Sequence, residues 1–230
     1  MKSYCIFFFF LFVNLSFGEI RSQVTRDLVE RVRARSSLPA DDASWTYAGS
    51  DREAAKTRRP AVINKYQKLE PMSLADFYKM VRPLKVPAKV PPEAMVGLED
   101  VVVTLNVYLL AARFERKEDH DIHFQGGDSP NWNTDQLIME IPAEPEFELA
   151  RKTLWDIIRQ DSGRDPDNWI LKKPVKIQVT GALFLDAHHR PKGATNLDIE
   201  NGGRGIENNG VNSVKGLWEI HPVTDVKILK

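Results

Sequence analysis

Two stretches in the second half of the chain alternate apolar and polar residues with the period of a β-strand. Over residues 175–189, Val175, Ile177, Val179, Leu183 and Leu185 share one face, while Lys176, Gln178, Thr180, Asp186 and His188 share the other. Over residues 217–229, Trp218, Ile220, Val226 and Ile228 oppose Glu219, His221, Asp225 and Lys227. Each stretch therefore predicts a strand with one apolar face and one face carrying acids and histidines.

Upstream, residues 101–114 are dense in β-branched and aromatic side chains and predict a long strand. Residues 121–125 alternate as a short strand, residues 126–131 (Gly-Gly-Asp-Ser-Pro-Asn) read as a loop, and residues 136–141 predict a third strand. Between residues 146 and 159, Phe147, Ala150, Leu154, Ile157 and Ile158 fall on one helical stripe, with acids in the first turn where the helix dipole favours them. Residues 161–168 read as a loop, Pro174 as the entry to the next strand, and the Gly- and Asn-rich residues 190–216 as one long loop.

Toward the N-terminus the pattern weakens. Val24, Leu28 and Val32 support a short helix over residues 27–35, and residues 36–59 read as an extended arm pinned by Trp45 and Tyr47. Ser73 followed by Asp76 resembles a capping box that opens a helix through Met80. Pro83 stops that helix, and Pro83, Pro87, Pro91 and Pro92 make an extended connector.

Three strands, a helix and two further strands is the order of a five-stranded, OB-like Greek-key barrel with its helix between strands three and four. The chain is accordingly expected to be mainly β with some α, carrying a partly helical, Pro-rich N-terminal arm. The competing expectation is an open α+β sheet covered by a helix. The domain reading is a signal peptide over residues 1–18, an arm and linker over 19–95, and the OB-like domain over 96–230.

Composition narrows the function classes. The chain has 32 basic and 32 acidic residues, and losing Lys2 with residues 1–18 leaves 31 against 32. So even a balance supplies no drive toward non-specific nucleic-acid binding. A basic start, an apolar run over residues 6–13 and Ser16-Phe17-Gly18 have the form of a secretory signal peptide. That run is short of the roughly 20 residues that span a bilayer, so no transmembrane segment is expected in the mature chain. Cys5 is the one cysteine, so a chain cleaved after Gly18 has no disulfide, thiolate nucleophile or cysteine–metal site.

The candidate chemistry lies in the histidines, all of which fall at positions 120, 123, 188, 189 and 221. Asp121 and His123 oppose Ile122 and Phe124, which puts acids and imidazoles on the non-core face of three strands. Asp121, His123, Asp186, His188, Glu219 and His221 are therefore candidate ligand-binding residues, and Trp132 in a loop could stack on a ring or a base. Imidazoles with carboxylates also suit zinc or another divalent metal, with His123, His188, His221 and Asp186 as candidate ligands. The same set could instead serve as a general acid and base, or simply bridge neighbouring strands. Gly202-Gly-Arg-Gly205 follows no strand and opens no helix, and no nucleophile elbow, His-Glu-x-x-His or phosphate-binding loop occurs. No cofactor is read beyond the metal alternative.

Asp119-x-Asp121-x-His123, Glu140-Ile-Pro142, Val179-Thr-Gly-x-x-Phe-x-Asp-x-His188 and Trp218-Glu-Ile-His-Pro-Val223 resemble segments of a family of exported bacterial proteins with an OB-like C-terminal domain. The resemblance spans roughly residues 100–230. It implies export and carries no catalytic residue. Two functional expectations follow. One is an exported module that binds a sugar, peptide or protein, rather than nucleic acid, through its outer sheet face and loops. The other is a metal-dependent hydrolase, nucleases included. Export to the periplasm or the extracellular space predicts a mature chain beginning at Glu19, which N-terminal sequencing from the native host would read; an intact Met1 on a cytoplasmic protein would refute it.

Overall fold

One long strand, β2 (Val101–Phe114), is hydrogen-bonded along both of its edges and so closes the sheet on itself. The computed structural model describes residues 53–82, 99–115, 120–163, 168–186, 205–208, 211 and 213–230. In chain order the elements are α1 (Glu53–Lys56), α2 (Pro60–Ile63), β1 (Gln67–Lys68), α3 (Leu74–Val81), β2, β3 (Ile122–Gly127), β4 (Gln136–Ile141), a 3-10 turn (Pro145–Phe147), α4 (Glu148–Ser162), β5 (Asn168–Leu185) and β6 (Trp218–Ile228). The predicted signal peptide, the helix over 27–35, Trp45, Tyr47, the Pro-rich connector, His188 and His189 lie outside the described residues. No helix among the described residues is long and apolar enough to cross a membrane.

The protein is mainly β. Its mixed sheet has six strands in the order β1-β2-β3-β4-β6-β5, and β2 pairs with β5, making a ring of five strands. Within the ring the pairs are antiparallel except β4 with β6, which meet in parallel at Met139 and Ile220. Odd-numbered residues of β2 (Val101, Val103, Leu105, Val107 and Leu109) point into the core, where they meet Phe124, Met139, Val179 and Ile220. Alternation was legible because each of these strands buries one face in the same interior.

Helix α4 contributes Ala150, Leu154, Ile157 and Ile158 to the same core, as the stripe predicted. It runs to Ser162, three residues beyond the expected end, and stops at Gly163, whose φ of 72° is the left-handed conformation that glycine adopts without penalty.

The strand borders differ from the pattern in three places. Gly126 and Gly127 belong to β3 rather than to a loop. They face Leu109 and Tyr108, and a Cβ on Gly126 would come within 2.7 Å of the Val107 side chain. β5 begins at Asn168 rather than after Pro174. Its pairing with β2 passes from Ile170 opposite Ala111 to Val175 opposite Leu109, so residues 171–174 form a bulge, with Leu171 still in the core. Pro174 is tolerated because it sits in that bulge, and the Asp161 carboxylate accepts the Lys172 and Lys173 N–H groups there. Ile228, expected on the apolar face of β6, is 56% exposed. Register shifts near Gly181 put Val223 in the core and break the simple alternation.

The described part of the N-terminal region lies against the sheet. β1 runs parallel to β2 at Val101 and Val102, and Met72 exchanges backbone hydrogen bonds with Thr104 and Asn106. Ser73 caps α3 by accepting from the Asp76 N–H at 3.1 Å, as its spacing predicted. The buried stripe of α3, Leu74, Phe77, Met80 and Val81, joins the main core. On the outside, Ile63 and Tyr66 pack on Val102 and Ala182.

This packing sets two expected outcomes in urea unfolding. Phe77→Ala, in a fully buried position, should cost about 3–5 kcal/mol, the usual range for emptying a core aromatic site. Gly181→Ala should cost about 1–3 kcal/mol by overpacking, because its Cβ would meet the Pro222 carbonyl oxygen at 2.5 Å and Val223 Cα at 2.9 Å, both backbone atoms. A silent Phe77→Ala would show that α3 does not share the core.

Candidate functional site

The acids and imidazoles gather where β3, β4 and β6 lie side by side. His123 and Glu140 are direct cross-strand partners, and Ile220 of β6 is held beside Met139 of β4. Glu140, on the face opposite Leu137, Met139 and Ile141, thus stands between His123 and the residues flanking Ile220. Its Oε1 lies 2.6 Å from His123 Nδ1 and its Oε2 lies 2.8 Å from His221 Nδ1. Asp121, just before β3, brings Oδ2 to 3.3 Å from His221 Nε2. Glu219 Oε1 lies 3.4 Å from His221 Nδ1 in a hydrogen bond.

The expected outward-facing character of this set is corrected by the structure. The side chains of His221, Glu219, Asp121 and Glu140 are 0%, 1%, 4% and 6% exposed, and only His123, at 31%, reaches solvent. The face is polar yet buried, since strand periodicity tells which residues share a face and not what lies over it. Part of the cover is Phe184 of β5, whose ring meets the His221 ring edge-on at 5.6 Å. Another part is Arg58, a buried guanidinium that donates to the carbonyls of Glu99, Leu183 and His221. Arg151 donates to the carbonyls of Ile141, Pro142 and His120, and the Asp121 charge acts on its guanidinium.

Burial by itself would drive protons off both imidazoles. For His221 the Glu140 charge, with help from Asp121, Glu140 and Glu219 as acceptors, outweighs burial and holds its pKa well above 6.5. Burial is likewise outweighed at His123, chiefly by Glu140, and its pKa is raised. Glu140 shows the complement. Burial pushes its pKa up, but the two imidazoles pull it well below 4.5.

Among the described residues, Asp121, Glu140 and His221 can each offer one ligand atom to a common point, the atoms lying within 4.8 Å of one another. Of the residues expected to form the site, Asp121, His123, Glu219 and His221 come together. Asp186 follows β5, with its N–H bonded to the Leu217 carbonyl, and is not among the three, and His188 lies outside the described residues. Trp132 is half-buried and tied down, with its indole N–H donating to the Val211 carbonyl. Glu140 was missed as a site residue, although residues 136–141 carried the same signal. Applying the parity test to that strand places Glu140 opposite the apolar face and beside His123. Comparison with family profiles, curated proteins and solved structures finds no match to this chain.

The shifts set a pH dependence of stability for chelator-treated protein. The raised imidazoles contribute stability that is fully present below about pH 6.5 and is lost as pH rises through their folded values. The depressed Glu140 contributes stability present above about pH 4.5 and lost as pH falls through its folded value. Melting temperature should therefore be highest between these limits. Glu140→Gln should lower stability by about 3–5 kcal/mol at pH 6, the range for removing one partner of a buried ion pair, and flatten both limbs. Unchanged limbs in that variant would show that Glu140 does not govern the cluster.

Proposed function

We propose that the chain is an exported binding module built on an OB-type barrel, recognising its ligand on the outer face of β2 and β5. The closed strand order, with α4 between the third and fourth strands of the ring, supports the OB-type reading. Burial of the acid–imidazole cluster is the observation that favours binding over hydrolysis. A catalytic metal or acid–base pair must touch substrate through an open position, and His221, Glu219, Asp121 and Glu140 are buried.

The outer face of β2 and β5 is instead half-exposed and carries an in-register polar ladder. Thr104 faces Thr180 with hydroxyls 2.9 Å apart, Asn106 accepts from Gln178 at 3.0 Å, and Lys176 lies over the Tyr108 ring. Hydrogen-bonding groups with one aromatic ring and little net charge suit a polyhydroxylated ligand such as a sugar better than a polyanion.

An array of oligosaccharides, followed by titration of the best binder, tests this. Tyr108→Ala and Gln178→Ala should each weaken binding by about tenfold or more, with the fold intact by circular dichroism. Binding left unchanged by both, or no saccharide bound, would overturn the assignment.

A further inference from the structure

Charge is spread unevenly over the sheet. β2 and β5 together contain Arg113, Lys172, Lys173 and Lys176 and no acidic residue, in a chain whose 32 basic and 32 acidic residues balance. We propose, resting on the saccharide reading, that the ligand is a uronate: a sugar whose ring carries one carboxylate, selected by Lys176.

The register of the strands places that charge. Side chains two residues apart along a strand share a face, so Thr104, Asn106 and Tyr108 of β2 stand opposite Thr180, Gln178 and Lys176 of β5. β6 adds Asp225 beside Thr180 and Lys227 beside Gln178. Asp225 and Lys227 close on each other at 2.7 Å. Lys176 is exposed and forms no ion pair among the described residues, and its ammonium lies 5.9 Å from the centre of the Tyr108 ring. The ladder thus carries one cation in excess, beside its aromatic ring. The other cations of the two strands are placed differently. Arg113 pairs with Glu115 at 2.6 Å, Lys172 lies over the Trp169 ring at 5.0 Å, and Asp161 holds the backbone N–H groups of Lys172 and Lys173 in the bulge.

A ring next to a single charge fits one chemistry. A pyranose packs its apolar face on an aromatic ring while its hydroxyls bond amides and hydroxyls, here those of Asn106, Gln178, Thr104 and Thr180. In a uronate the carboxylate is bonded directly to the sugar ring, so it meets a cation that stands beside the aromatic group holding the sugar. Lysine suits one carboxylate, being a compact charge on a flexible stem. Sulfates, phosphates and polyanions are better met by arginine forks or by several cations together. One excess lysine favours a singly charged sugar over a neutral one and over a sulfated or nucleic-acid chain.

The test uses the full chain and matched disaccharides in the gluco, galacto and manno configurations, each ending in the hexose, its uronate or its 6-sulfate, titrated by calorimetry. The uronate of at least one set should bind about five- to tenfold more tightly than its hexose, the range for one partly exposed, charge-assisted hydrogen bond. Raising potassium chloride from about 0.05 M to about 0.5 M should remove most of that preference, because salt screens the charge and not the hydroxyl contacts. Lys176→Gln should erase the preference and Lys176→Arg should keep it. Lys152→Gln, on α4 where Lys152 pairs with Asp156, should leave both affinities unchanged. Equal binding of hexose and uronate, a preference that survives Lys176→Gln, or tighter binding of the sulfate overturns the uronate assignment and leaves the saccharide reading standing. Binding of no disaccharide overturns that reading itself, and the uronate with it.

Discussion

The double pairing of β2 is the constraint on which the rest depends. Its 14 residues reach far enough to bond β5 from Val102 onward and β3 from Tyr108 onward, so a sheet that would have open edges becomes a ring. Closure gives every ring strand an inside, filled by apolar side chains, and an outside that must be treated separately. Where β1 and Met72 run beside β2, the start of its second edge is also satisfied. The N-terminal elements therefore complete the sheet, and Phe77 extends the interior they close.

The outside is treated in two ways. On β2 and β5 it remains half-exposed and polar, with side chains that bond one another in pairs. On β3, β4 and β6 it is sealed over ionisable groups, an arrangement that is costly unless opposite charges and hydrogen bonds compensate. Glu140 is the hinge of that compensation, because its two oxygens face two imidazoles from two different strands. Removing it would leave like charges and dry polar atoms behind, whereas changing an exposed pair such as Lys152 with Asp156 would be felt weakly.

Much of this was legible in the residues because period and punctuation carry it. The strand β2, the apolar face of β5, the Trp218, Ile220 and Val226 positions of β6, the Ser73 cap and the α4 stripe all follow from local patterns that tertiary packing reinforces. What escaped depends on partners distant in the chain. Gly126 and Gly127 look like a turn, yet they are strand residues that let Val107 and Leu110 approach closely. Pro174 looks like a strand boundary, yet a bulge absorbs it. The convergence of Asp121, His123, Glu219 and His221 followed from parity, while the burial of that face did not, because alternation contains no information about a cover. Glu140 could have been found by the same test applied one strand further.

The ring's connectivity also has a consequence in time. β2 cannot complete its bonding until β5 has been made, and β4 waits for β6 to meet it at Ile220. Contacts between such distant segments form slowly, because the intervening chain must lose its freedom before they repay it. Asp121 and Glu140 are therefore synthesised well before His221 exists to face them. During that interval the nascent carboxylates remain hydrated, and the cluster is dehydrated only when the final strand docks. β6 thus acts as a latch on assembly, and a chain halted before residue 218 would hold Asp121 and Glu140 with His123 alone, lacking both Glu219 and His221.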